Sequence, residues 1–282
     1  KLSKTKKQIM TLNCRGKLID LKIPRIMGIL NITPDSFFDG GKYNSIHGSL
    51  KRCEKMIKEG ATFIDIGAIS TRPGAKELSL ETERKRLLPI FENLIKNFPD
   101  CLFSIDTFRS EIAEETLKMG ASIINDISGG EFDNKIFEIV KKYNSPYVLT
   151  HNIRKSNSIP NIPKYKDVVS EVLSNLSEKI KIINKKGIKD IIIDPGFGFG
   201  KSIKNNYDIL KNLKLFKSLE YPVLVGVSRK SMIWKYLNIS PDESLNGTTF
   251  LHAFALQNGS QLLRVHDVKS AKESVDLLQA LS

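Results

Sequence analysis

Ile26-Met27-Gly28-Ile29-Leu30-Asn31 is an unbroken apolar run that stops at a single amide. A strand covered on both faces reads this way, because neither face alternates with polar residues. Outward from it, the same kind of run returns at 62–66, 102–105, 122–124, 147–149, 191–193, 223–225 and 261–265. Between the runs lie stretches with helical apolar spacing, among them 111–119, 168–184 and 207–219. Eight strand–helix units predict an α/β chain closed into a (β/α)8 barrel, the TIM barrel, rather than an open sheet. An open doubly wound sheet is the rival, and no Gly-x-Gly-x-x-Gly turn follows the first strand to support it. Residues 9–22 read as two short strands around Arg15-Gly16-Lys17, an N-terminal β-hairpin placed to plug the barrel bottom. Residues 152–164, with Pro160 and Pro163, read as an irregular loop. The expectation is one domain over 1–282, with the hairpin at 9–22 and the barrel at 26–281.

Composition narrows the class. A chain of 282 residues, 40% of them hydrophobic, can bury a sizeable core. Barrels of about 250 residues run as single domains. No apolar stretch reaches the ~20 residues of a membrane helix, and no apolar core follows the basic start to make a secretory signal. Cys14, Cys53 and Cys101 are scattered and odd in number, which suits a reducing cytoplasm better than a disulfide framework or a metal knuckle. The net charge of +13 comes mostly from lysines spread along helical stretches such as 179–189. They are not interleaved with aromatics, so they read as a solvated surface rather than a nucleic-acid groove.

The informative polar residues fall where the runs end: Asn31, Asp65, Asp106, Asn125-Asp126, His151, Asp194, the Ser228-Arg229-Lys230-Ser231 turn, and Arg264 with His266. Any one of them could cap the following helix. Together they place carboxylates, amides and cations on one rim, where barrel enzymes keep their chemistry. Arg264 and His266 lie two apart on a strand and face one spot beside a helix start, as an anion site requires. Their bland alternative is a local ion pair with Asp267. In Asp194-Pro195-Gly196-Phe197-Gly198-Phe199-Gly200-Lys201, alternate glycines let the backbone approach a ligand, and one Phe is free to stack on a flat ring. The loops at 33–41 and 70–75 combine glycine with charged and hydroxyl groups, as lids do.

These stretches, with Met27-Gly28-Ile29-Leu30-Asn31-Ile32-Thr33-Pro34-Asp35-Ser36-Phe37, Ser70-Thr71-Arg72-Pro73-Gly74, Ile105-Asp106-Thr107, Asn125-Asp126-Ile127-Ser128-Gly129-Gly130 and Arg264-Val265-His266-Asp267-Val268, resemble dihydropteroate synthase, a family of pterin-binding barrels. The resemblance runs from about residue 26 to residue 268. It implies a transferase of folate biosynthesis that joins 7,8-dihydropterin-6-ylmethyl diphosphate to 4-aminobenzoate and releases diphosphate. By the same resemblance Asp106, Asn125, Asp194 and Lys230 would hold the pterin, and Asn31, Arg264 and His266 the diphosphate. Asn31 would also hold a Mg2+ ion. Asp35, Ser36, Phe37, Thr71, Arg72, Pro73, Phe199 and Ser231 would form the aminobenzoate site, where sulfonamides compete. Asp106, Lys230, Arg264 and His266 would carry the catalytic step, SN1-like because the electron-rich pterin, with Asp106 nearby, can stabilise the positive charge left on the methylene carbon as diphosphate departs. A homodimer with small-molecule substrates only is expected, with no nucleic-acid or membrane partner.

Three departures from the family pattern stand out. Ala68-Ile69 replaces the usual Gly-Glu, Thr150-His151-Asn152-Ile153 stands where Met-His-Met-Arg is common, and 248–254 is bulkier and more polar than the usual Ala-rich helix of the dimer interface. A pterin-dependent methyltransferase on the same barrel is the nearest alternative. It would share Asp106, Asn125 and Asp194, but has no need of Arg264 and His266 for a diphosphate. A basic nucleic-acid-binding protein leaves the rim carboxylates unexplained.

Overall fold

The hairpin forms first along the chain because a two-residue turn is available to it. Thr11–Cys14 (β1) and Lys17–Asp20 (β2) pair antiparallel around Arg15 and Gly16. Both turn residues have positive φ, 55° and 82°, the backbone that a tight hairpin of matching twist demands. These elements belong to a computed structural model that describes residues 10–32, 42–68, 78–153 and 163–281.

Beyond the hairpin the chain alternates strand and helix. The order is β3 (Arg25–Asn31), α1 (Lys42–Lys58), β4 (Phe63–Gly67), α2 (Leu80–Asn97), β5 (Leu102–Asp106), α3 (Ser110–Met119), β6 (Ile123–Asp126), α4 (Ile136–Tyr143), β7 (Tyr147–Thr150), α5 (Val168–Lys185), β8 (Ile191–Asp194), α6 (Ile203–Lys211), β9 (Leu224–Val225), α7 (Ser231–Leu237), α8 (Leu245–Gln257), β10 (Leu262–Val265) and α9 (Val268–Ala280). The eight parallel strands run β8-β7-β6-β5-β4-β3-β10-β9. A bridge between Ile193 and Val223, with the Ile193 N–H on the Pro222 carbonyl at 2.8 Å, closes the ring. The fold expected from the sequence is therefore the one observed.

Period-two alternation sorts the strand residues into an outer and an inner set. Outward residues such as Ile26, Ile64, Phe103 and Ile193 join one core with the helices. The inner set divides by height. At the bottom, each strand contributes one apolar side chain: Met27, Phe63, Leu102, Ile123, Val148, Ile192, Leu224 and Leu262. Leu12, Cys14, Ile19 and Leu21 of the hairpin pack onto this layer and seal it. Higher up, the buried strand positions include Asp65, Ser104, Asn125 and Asp194. The bottom is thus a plug for stability and the top a polar chamber.

Two expected elements differ. The helix expected at 207–219 is an α-helix only to Lys211. Asn212 turns its side-chain amide back onto the Asp208 carbonyl at 2.8 Å, and the chain continues as a 3-10 helix, Leu213–Leu219. Leu213 and Phe216, three residues apart, are its buried residues, and three is the repeat of that tighter helix. The second barrel strand passes Asp65 and ends at Gly67, so Asp65 sits inside the barrel and caps no helix.

Leu12 is fully buried in the plug, at the end of the barrel away from the polar chamber. Leu12→Ala should lower the unfolding free energy by about 2–4 kcal/mol, as a buried Leu truncation does. Urea titration would measure it, and unchanged stability would mean the hairpin does not close the barrel.

Candidate functional site

Four inner residues form one hydrogen-bonded chain. Arg264 of β10 donates from Nε to Asp65 Oδ2 at 2.7 Å and from Nη2 to Asp106 Oδ2 at 2.8 Å. Asn125 of β6 donates from Nδ2 to the same Asp65 oxygen at 3.0 Å. Burial pushes the Asp106 carboxyl up to about 7; Arg264 opposes this, while Asp65, Glu83 and Asp126 reinforce it. Asp194, at the end of β8, is also raised by burial, against the pull of the Gly196 N–H on its Oδ1 at 2.7 Å and of Lys230, Lys201 and Arg264. Asp126, next to Asn125, faces the other way, where Tyr147 Oη at 2.7 Å and the Ser128 and Gly130 N–H groups satisfy it.

The glycine-rich loop is held by its own lysine. Lys201, 5% exposed, donates Nζ to the carbonyls of Gly196 at 2.7 Å, Phe199 at 3.1 Å and His151 at 3.3 Å. Gly196 has φ +73°, and a Cβ there would lie 1.9 Å from the His151 carbonyl oxygen, so no side chain fits. Of the two phenylalanines, Phe197 does have a core to join, being 1% exposed in the outer core. Phe199 stays half-buried, with the Lys230 ammonium 4.8 Å above its ring. It is the one left with a face for a ligand.

Just past the end of β10, His266 is held twice by Ser228. The Ser228 hydroxyl oxygen accepts the His266 backbone N–H at 3.1 Å and lies 3.0 Å from Nδ1. Burial, then Arg264 and Arg229, push this imidazole down to about 4. Of the two roles open to it, cation or neutral donor, His266 is therefore neutral at pH 7. If the hydroxyl gives its proton to Nδ1, the ring carries its own on Nε2. Asp267 pairs with Arg229, at 2.9 and 3.0 Å, and leaves Arg264 to Asp65 and Asp106. Arg264 is committed to the chamber by its Nε–Nη2 edge, so the end it can offer to an anion beside His266 is Nη1, which has no partner among the described residues. Asn31 ends β3 with its side chain exposed, and Ser231 opens α7.

Asp35, Ser36, Phe37, Thr71, Arg72 and Pro73 lie outside the described residues. What holds the near end of the second of these loops is described. Arg109 donates to the Leu78 carbonyl and to Glu83, and Glu83 accepts the Thr107 hydroxyl at 2.7 Å. From the sequence alone Asp65 is placed on the rim without a ligand role, Lys201 is only the end of the glycine-rich loop, and Glu83 is not singled out. For Asp65 the signal was present: it is a charge inside an otherwise apolar strand of a barrel, which burial tolerates only with partners.

Residues 27–266 match the model of the pterin binding enzyme family. The dihydropteroate synthase of Escherichia coli K12 is 41% identical over 273 residues, 96% of each chain. The chain belongs to the dihydropteroate synthase family of pterin-binding enzymes. Among solved structures, Xanthomonas albilineans dihydropteroate synthase with 4-aminobenzoic acid superposes with a TM-score of 0.91 at 36% identity, covering 97% of this chain and 98% of that one. The same organism's enzyme in complex with 7,8-dihydropteroate gives 0.86 at 34% identity, over 96% and 98%.

If Asp106 is the carboxylate that meets the N–H donors of a pterin, as the sequence resemblance implies, it must do so in its acceptor form. That carboxyl, held at about 7, loses its proton as pH rises through neutrality. Affinity for a pterin should therefore be full at pH 8 and about tenfold weaker at pH 6, as linkage to one ionisation dictates. Calorimetric titration at the two pH values checks this, and equal affinities would take Asp106 out of the contact.

Proposed function

We propose that this chain condenses 7,8-dihydropterin-6-ylmethyl diphosphate with 4-aminobenzoate to give 7,8-dihydropteroate and diphosphate. The observation that carries the reading is the polar chamber itself: Asp106, Asn125 and Asp194 are buried at the top of a barrel whose bottom is sealed with apolar side chains. Carboxylates and an amide in one enclosed place match a flat heterocycle with donors and acceptors on its edges. The family membership supplies the pterin and the second substrate.

In the reaction the bond from the methylene carbon to the diphosphate oxygen breaks, and a bond from that carbon to the arylamine nitrogen forms. The amine then loses a proton. No strong base is required, so the work falls on charge. Asp106 and Asp194 grip the N–H edge and place negative charge near the ring from which the leaving group departs. Lys230 donates to the ring, and Phe199 beneath its ammonium offers a face to the arylamine. His266 Nε2–H and the Nη1 end of Arg264 donate to the departing diphosphate. Aminobenzoate binds second in this reading, with Asp35, Ser36, Phe37, Thr71, Arg72, Pro73 and Ser231 completing its site.

A Mg2+ ion belongs to the proposal. Among the described residues no cluster of three His, Cys, Asp or Glu could hold a metal unaided. A lone exposed amide such as Asn31 fits an ion that keeps several waters and takes its other ligands from phosphate. When bound, the ion would neutralise charge on the leaving diphosphate. A homodimer is proposed through α7 and α8, where Tyr236 and Phe250 are each 69% exposed and Leu237 51%. No described helix is long and apolar enough to cross a membrane, and Cys14, Cys53 and Cys101 are free thiols, as a reducing compartment keeps them.

The test is whether the purified protein, with Mg2+, forms dihydropteroate from the two substrates; no product would overturn the reading. Two substitutions divide the site. His266→Ala should weaken diphosphate binding by about ten- to a hundredfold, the loss of one hydrogen bond to a charged group, and leave a pterin without diphosphate bound as before. Arg264→Ala should weaken both, because it also undoes the contacts to Asp65 and Asp106. Equal profiles for the two variants would show that Arg264 serves the diphosphate alone and not the pterin pocket.

A further inference from the structure

We infer that Asp65 is a positioning residue for the pterin, fixing which atoms Asn125 and Arg264 present to it. The inference deepens the proposed function and rests on it. Asp65 is fully buried, so it acts through its neighbours and does not meet the ligand itself. Its Oδ2 accepts from Asn125 Nδ2 at 3.0 Å and from Arg264 Nε at 2.7 Å.

The consequence for Asn125 follows from the chemistry of the pair. A carboxylate without a proton only accepts, so the amide must turn its NH2 toward Asp65; the opposite turn would set oxygen against oxygen. Asn125 is left with its carbonyl oxygen and one N–H for a ligand. An amide of fixed polarity distinguishes a ring N–H from a ring nitrogen lone pair, whereas a free amide would accept either. For Arg264, Asp65 on Nε and Asp106 on Nη2 hold the guanidinium plane between two strands. The Nη1 end, without a partner among the described residues, is thereby aimed away from both carboxylates. Without Asp65 the guanidinium is free to give its Nε–Nη2 edge wholly to Asp106, and Asp106 becomes a poorer acceptor for the pterin.

Asp65→Asn keeps the shape and removes the constraint. Calorimetry with a pterin that lacks the diphosphate should show affinity about tenfold lower, the scale of one lost charge-assisted hydrogen bond. In steady state the KM for the pterin diphosphate should rise by the same factor, and the KM for 4-aminobenzoate by less than about twofold. Because Asp65 acts partly through Asn125, adding Asp65→Asn to Asn125→Ala should cost less than it does in the unsubstituted protein. Misfolding is controlled by the exchanged pair, Asp65→Asn with Asn125→Asp, which keeps a hydrogen bond at the same place. It should melt near the unsubstituted protein and still bind pterin poorly.

Unchanged pterin affinity in Asp65→Asn, strictly additive losses, or full binding by the exchanged pair would each overturn the proposal. So would an equal rise in both KM values with a lowered melting temperature, which is the mark of a purely structural residue. If the unsubstituted protein binds no pterin, the functional reading fails and this proposal with it. If it binds pterin and Asp65→Asn binds equally well, only this proposal fails.

Discussion

Arg264 between Asp65 and Asp106 is the interaction on which the upper half of the barrel depends. A buried carboxylate is costly alone, and removing one member of such a set costs more than the set contributes. The guanidinium joins β10, β4 and β5, and Asn125 extends the chain to β6. Three carboxylates, Asp65, Asp106 and Asp194, act with this one arginine inside a chamber that an enzyme needing only stability would fill with Val, Ile and Leu. Asp65 Oδ1, Ser104 Oγ and Thr150 Oγ1 are buried with no partner among the described residues. Unsatisfied polar atoms of this kind collect where local rules are broken for function.

The barrel can carry this cost because its two ends are built differently. The apolar plug of the hairpin and the eight lower side chains supplies cohesion at one end. The glycine-rich loop shows the same division on a smaller scale. Phe197 anchors it in the outer core, Lys201 ties three of its neighbouring carbonyls together, and only Phe199 is left to the site. The backbone turns too tightly at Gly196 for any side chain, so the loop's shape is set before a ligand arrives.

Much of this was legible in the sequence. Eight short apolar runs ending in polar residues gave the barrel and its functional rim, and the Arg15-Gly16 turn gave the hairpin. The role of Asp65 was missed for a reason of register. A pattern read along the chain assigns a polar residue to the end of its own strand, but whether it points inward depends on register against its neighbours. Asp65 looked like a strand terminus because the run before it is apolar; pairing of Ile66 and Gly67 with β5 carries the strand past it. For His266 the sequence left open whether it is a cation or a neutral donor; burial and the neighbouring cations, which push its imidazole down to about 4, decide for the neutral form. The break at Asn212 escaped because a 3-10 helix and an α-helix share apolar spacing over so short a stretch.

A crystal structure of the protein with a bound pterin tests the account most directly. It should show the ring inside the mouth of the barrel, its N–H edge on Asp194 or Asp106, and the Asn125 oxygen turned toward it. Arg264 should keep its contacts with both Asp65 and Asp106. A ring lying outside the barrel, or an Arg264 that leaves Asp65 to reach the ligand, would contradict it.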